Sequence, residues 1–166
     1  MARTIEQFAA ACHDILKAQN NPAGRSKVCT LLQEYLKDQQ FVSNYIKDET
    51  PERKILYEDP ELGFCILAHH YQGAKTSGPH DHGPYWAIYG QAKGETEMSD
   101  YALLEAVSAE KTGKVKRTKT YKLTPGIAHV YNEGDLHSPR RVDSTKLIRI
   151  EGKNMEKVKR FKFEAV

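Results

Sequence analysis

From Lys54 onward the chain is cut into short apolar runs by glycine and proline, and that punctuation limits the fold more than any other feature. Residues 55–57, 64–71, 86–89, 96–103, 119–123, 127–131 and 147–151 have the length and the β-branched or aromatic content of strands. Between them stand Asp59-Pro60, Gly73, Gly78-Pro79, Gly83-Pro84, Gly94, Thr112-Gly113, Pro125-Gly126, Gly134-Asp135 and Ser138-Pro139, which are turn-forming residues. Strands so short and so regularly interrupted predict an all-β sandwich or barrel rather than a parallel α/β sheet.

The first fifty residues have a different texture. Ile5, Phe8, Ala9, Cys12, Ile15 and Leu16 recur at helical spacing, with Thr4 placed to cap the helix. Asn20-Asn21-Pro22-Ala23-Gly24 reads as a break. A second amphipathic stretch over 26–46 carries Val28, Leu31, Leu32, Tyr35, Leu36, Phe41, Val42 and Tyr45. Two short helices bury too little to stand alone, so they are expected to cover the strands. The expected organisation is one domain over 1–166, with a helical cover at 1–48 and a β-barrel at 49–166.

Composition narrows the function classes. The 166 residues suit a single domain with a real core. Lys+Arg 25 against Asp+Glu 22 leaves a net charge of +3, too mild for a nucleic-acid partner. The clusters Lys111–Lys122 and Lys153–Lys162 read as solvated hairpin and edge-strand surface, a patch for an anionic partner being the other reading. No apolar run approaches the roughly 20 residues that span a bilayer, so no membrane is expected. The opening residues lack the apolar core of a signal peptide. Cys12, Cys29 and Cys65 form no CxxC pair and read as free thiols, which points to a cytoplasmic location. Oligomeric state is left open.

Three of the seven histidines form a pattern. His80-Asp81-His82 places two imidazoles at i and i+2, which on a strand share one face about 6–7 Å apart. His137 follows the Gly134-Asp135 turn far downstream. Three neutral imidazoles on one side of a metal leave positions open for substrate or oxygen.

The spacing around these residues resembles the two motifs of the cupins. The first, G-x5-H-x-H-x3-4-E-x6-G, matches at His80, His82 and Gly94, with its opening glycine one residue out at Gly73. The second, G-x5-P-x-G-x2-H-x3-N, matches at Gly126, Gly134 and His137. Ala87, or Trp86 in the shorter spacing, stands in place of the glutamate ligand, and Asn132 in place of the proline. A site without that glutamate is similar to the three-histidine thiol dioxygenase branch. The run from Phe64 to Gly73, then Pro79-His80-Asp81-His82-Gly83 and Gly134-Asp135-Leu136-His137, resembles cysteine dioxygenases and 3-mercaptopropionate dioxygenases.

The resemblance implies a cupin (double-stranded β-helix, jelly-roll) barrel with N-terminal α-helices packed outside. It also implies an Fe(II) centre held by His80, His82 and His137; nickel, manganese and zinc suit the same ligands. Arg53 or Lys54 matches the arginine that binds the substrate carboxylate in the family. The family's Ser-x-His-x-Tyr array aligns with Leu147, Arg149 and Glu151, a marked departure, and no cysteine follows Cys65 to crosslink a tyrosine. Arg149 is expected to bind an anionic substrate, with Glu151 orienting it or moving a proton; a structural ion pair between the two is the other reading. Trp86, with Tyr85 and Tyr89, is expected to wall the cavity, and Glu97 is a candidate replacement ligand.

The function implied is a thiol-dioxygenase-like oxygenation of a small carboxylated substrate, with O2 as co-substrate. Two other classes stay open: a metal-dependent cupin isomerase or hydrolase with Glu151 as acid/base, and a cupin that binds a small molecule without chemistry.

Overall fold

The computed structural model describes residues 2–166. Three helices come first: α1 (Ile5–Ala18), α2 (Pro22–Leu36) and α3 (Gln39–Tyr45). Thr4 caps α1 reciprocally. Its hydroxyl accepts from the Gln7 N–H at 3.2 Å, and the Gln7 carboxamide accepts from the Thr4 N–H at 3.1 Å. The break read at 20–24 falls at residues 19–21 between α1 and α2, and Pro22–Gly24 already open α2: Asn21 caps it and Pro22 sits in its first turn, where a missing N–H is harmless. The stretch 26–46, read as one helix, divides in two. The Asp38 carboxylate accepts from the N–H groups of Gln40 and Phe41 and starts α3 afresh.

Ten strands follow: β1 (Lys54–Glu58), β2 (Cys65–Tyr71), β3 (Lys75–Thr76), β4 (Ala87–Lys93), β5 (Thr96–Glu105), β6 (Gly113–Leu123), β7 (Ala128–Tyr131), β8 (Leu136–Arg141), β9 (Thr145–Glu151) and β10 (Phe163–Ala165). One five-stranded sheet has the order β1-β2-β9-β4-β7, the other β10-β6-β5-β8-β3. Nearly all pairings are antiparallel; β10 joins β6 in parallel. The two curled sheets form a cupin-like double-stranded β-helix with the N-terminal helices packed against it. No helix among the described residues is long and apolar enough to cross a membrane.

Side-chain alternation decides what each face of the first sheet does. Ile66, Ala68, Ile88, Ile148 and Ile150 point outward and join Phe8, Cys12, Leu16, Val28, Leu32, Leu36 and Phe41 from the helices in one buried cluster. The opposite face carries Ala87 and Tyr89, which meet Met98, Leu123 and Tyr131 in a smaller cluster inside the barrel. The larger apolar core therefore lies between helices and sheet, and the barrel interior is free to hold polar groups. On β9 this alternation turns Leu147, Arg149 and Glu151 inward.

Candidate metal centre

Three segments bring the histidines together. His80 and His82 lie in the connection between β3 and β4, and His137 lies on β8. His80 and His137 exchange backbone hydrogen bonds, each N–H donating to the other's carbonyl at 2.9 Å. This isolated bridge locks two imidazoles side by side. Gly83, at φ 58, turns the chain just past His82, and its N–H donates to the Asp81 carboxylate at 3.0 Å.

One ring nitrogen from each histidine lies within 4.8 Å of the others. The Nε2 atoms of His82 and His137 are 3.2 Å apart. The Nδ1–H of His80 donates to the Gly78 carbonyl and that of His137 to the Asp135 carbonyl, each at 2.9 Å. Those bonds leave the Nε2 lone pairs facing the cluster, as ligation requires. Burial is the main force on their protonation. It pulls His80 down to about 4 and holds His82 and His137 well below the ordinary imidazole value, with charge from neighbouring imidazoles adding to the effect at these two. All three are thus in the neutral form that binds metal.

Tyr89 on β4 completes the group. Its hydroxyl oxygen stands 3.4 Å from His80 Nε2, 3.3 Å from His82 Nε2 and 3.4 Å from His137 Nε2. Four donors about 2.0–2.1 Å from one ion lie about 3.3 Å apart at tetrahedral angles. Tyr89 stands at that spacing from all three imidazoles, and His82 from His137, with the His80 nitrogen within 4.8 Å of both, so the donor set fits a first-row metal ion. Tyr131 stacks on His137 with centroids 4.0 Å apart, and its hydroxyl is fixed by Tyr121 at 2.7 Å, which donates to Asp100 at 2.9 Å. That relay holds the His137 ring in place.

Of the cluster, His80 and Tyr89 reach a cavity of about 530 Å³, whose wall also includes Tyr71, Arg141, Arg149 and Arg160, and no acidic side chain. Arg149 faces inward, its guanidinium carbon 4.2 Å from the Tyr89 ring centre. Arg141 is buried and stacks on Tyr71 at 4.4 Å, and burial pulls its guanidinium below its ordinary value.

The other residues singled out in the sequence fall elsewhere. Glu151 is fully buried and accepts from both Arg53 terminal nitrogens, at 2.9 and 3.0 Å, and from the Met155 N–H at 3.1 Å. Arg149 stays 3.6 Å away, so Arg53 is the closer partner of this carboxylate. Burial pushes the Glu151 carboxyl up, but the Arg53 bonds and the Arg149 charge outweigh it and hold it below its ordinary value. Neither Arg53 nor Glu151 lines the cavity, and Lys54 is exposed at the start of β1. Trp86 packs in the helix-side cluster beneath Arg25, on the wrong face of the sheet to wall the cavity. Glu97 pairs with Arg140 at 3.7 Å and is absent from the histidine cluster.

Two residues in this region carried readable signals. Tyr89 lies two residues beyond Ala87, hence on the same strand face as the position where the first cupin motif has its glutamate. Arg141 stands where the second motif closes with asparagine, four residues after His137.

No known family's sequence pattern matches the chain, and no curated protein matches it. Solved structures do resemble it. KdgF from Halomonas sp. is 17% identical, with 68% of this chain and 91% of that chain covered and a TM-score of 0.46. A cupin-superfamily protein from Desulfitobacterium hafniense is 9% identical, covering 70% and 88%, with a TM-score of 0.45. A cupin-2 domain protein from Shewanella frigidimarina is 14% identical, covering 65% and 84%, with a TM-score of 0.42. Likenesses this distant carry no argument, and the fold is read from strand order and register. Together, that fold and the histidine cluster define a cupin-fold protein with a candidate three-histidine metal centre.

Proposed function

We propose that the chain is a metal-dependent oxygenase of the thiol-dioxygenase-like kind, holding Fe(II) through Nε2 of His80, His82 and His137, with the Tyr89 hydroxyl as fourth donor. The observation that carries this reading is the convergence of three neutral imidazoles behind a cavity walled by arginine, which the cluster reaches through His80 and Tyr89. When bound, the ion supplies Lewis acidity and, as iron, a place for dioxygen beside the substrate.

The chain's own groups do the rest. Arg149 draws a substrate carboxylate to the cavity wall, held over Tyr89 and donating to the Tyr71 hydroxyl at 3.4 Å. The volume, about 530 Å³, suits a small molecule. Glu151 is a positioning residue: with both oxygens bonded it anchors Arg53 on one side and balances Arg149 on the other. A carboxylate so engaged is poorly placed to move protons, which weighs against the isomerase or hydrolase reading.

The test is the metal content of anaerobically purified protein beside His137→Ala, followed by oxygen uptake with cysteine and 3-mercaptopropionate. About one iron per chain, lost in the variant, together with thiol-dependent oxygen uptake, is the expected result. Stoichiometric nickel or zinc without oxygen uptake would move the activity to non-oxygen chemistry. Failure of either protein to take up metal after Fe(II) reconstitution would overturn the catalytic reading.

A further inference from the structure

The cavity beside the histidines contains more positive charge than its own fold neutralises. Arg141 is 2% exposed and Arg149 9% exposed, and both belong to the cavity wall. The one side-chain bond donated by Arg141 runs from Nε to the Thr96 hydroxyl at 3.2 Å, and its Nη2 finds no partner in the protein. Arg149 has an unpartnered Nε and one long bond, to the Tyr71 hydroxyl. The sole carboxylate near either is Glu151, which Arg53 already engages with two nitrogens. Arg149 thus has only a 3.6 Å share of a carboxylate held by Arg53, and Arg141 has no carboxylate partner. Arg160 and Lys162, both exposed, add two further cations to the cavity lining.

Burying guanidinium groups that are unpaired, like that of Arg141, or only partly balanced, like that of Arg149, is strongly unfavourable unless an anion meets them. Their planar forks match carboxylate, sulfonate or phosphate oxygens with two parallel bonds. A single carboxylate would answer one of the two deep charges and leave the cations at the rim unanswered.

We propose that the cavity's ligand is a small dianion, one anionic group held between Arg141 and Arg149 and the second held at the rim by Arg160 and Lys162. This names the substrate class for the oxygenase reading and rests on it for its catalytic meaning, but the cations are in place whether or not a metal is bound. Binding can therefore be read without activity.

The experiment is calorimetric titration of succinate, butyrate and inorganic phosphate into chelator-treated protein and again into metal-loaded protein. Succinate and butyrate have the same chain length and differ in one carboxylate. In both preparations succinate is expected to bind about tenfold or more tighter than butyrate, the scale of one charge-assisted contact. Phosphate distinguishes a phosphorylated ligand from a dicarboxylate: tighter phosphate than succinate binding assigns the dianion to the first class, the reverse to the second. Arg141→Met is expected to lose binding of all three probes by about tenfold or more. It should also melt no lower than wild type, because an unpaired buried charge has been replaced by an apolar side chain. The double variant Arg160→Gln/Lys162→Gln is expected to keep butyrate binding and lose the preference for succinate. Equal binding of succinate and butyrate by wild type, no binding of any probe, or unchanged binding by Arg141→Met would each overturn the proposal. Discrimination that persists in protein unable to take up metal would leave the dianion site standing and the oxygenase reading refuted.

Discussion

A phenol oxygen spaced evenly from three imidazole nitrogens either ligates the same ion or merely hydrogen-bonds beside it, and spectroscopy separates the two. A tyrosinate bound to Fe(III) or Cu(II) gives a charge-transfer absorption in the visible, whereas a hydrogen-bonded phenol gives none. Protein loaded with either ion is expected to show the band, and Tyr89→Phe to lose it while keeping metal on His80, His82 and His137. Affinity should weaken by about tenfold, the usual scale for losing one supporting contact. A colourless wild-type complex with full metal occupancy would reduce Tyr89 to a neighbour of the site. At this scale the histidines were legible because motif spacing fixes them by counting along the chain. Arg149 and Glu151 were legible as an inward-facing pair because strand alternation is local. The partner of Glu151 was not: Arg53 reaches it across 98 residues of chain, from outside β9, and no pattern within one strand encodes that meeting. Trp86 failed for a related reason. An aromatic in a strand announces burial, but which side of the sheet receives it depends on where the helices pack.

At the scale of elements, α2 crosses β4 at close range, and a glycine makes that approach possible. A Cβ on Gly90 would lie 2.7 Å from Leu32 Cδ2, 2.8 Å from Leu36 Cδ1 and 3.1 Å from the Ile148 carbonyl oxygen. Both leucines are buried, so their ends have little room to swing, and the backbone oxygen has less. Gly90→Ala is therefore expected to destabilise the protein by about 1–3 kcal/mol, read from urea unfolding, with the metal content unchanged. Unchanged stability would mean that α2 rides higher on the sheet. The same scale shows why some elements escaped the sequence. β8 contains Ser138-Pro139, a turn signal, yet Pro139 sits inside the strand opposite Met98 and its carbonyl accepts from the Ser77 N–H at 3.1 Å. The first half of β6 is dense in lysine and arginine, and only Gly113 and Val115 turn inward there, too few to mark a strand. The division of helix at Asp38 rests on a single capping side chain within an otherwise continuous apolar pattern.

Across the whole molecule, placing the large apolar core outside the barrel leaves a polar interior whose protonation is tied to folding. Five of the seven histidines, His69, His80, His82, His129 and His137, are held below the ordinary imidazole value, mainly by burial. An unfolded chain protonates these groups near pH 6.5, and the native chain does not. Below that pH the unfolded state binds more protons, so stability is complete above about 6.5 and falls as pH drops toward the native values. Asp59 and Glu151, held low by the bonds they accept despite burial, add a loss of the same sign only below the ordinary carboxylate values. The interval between about pH 5 and 6.5 therefore reads the histidines alone. His69 gives the cleanest test, because it lies outside the metal cluster and its Nδ1–H donates to the Glu52 carbonyl at 2.9 Å, a bond a glutamine amide can replace. Chelator-treated wild type should lose stability steadily across that interval. His69→Gln should lose it less steeply, by up to one proton or about 1.4 kcal/mol per pH unit. Equal slopes would show that His69 takes up its proton without unfolding, and the interior would then be wetter than its packing implies.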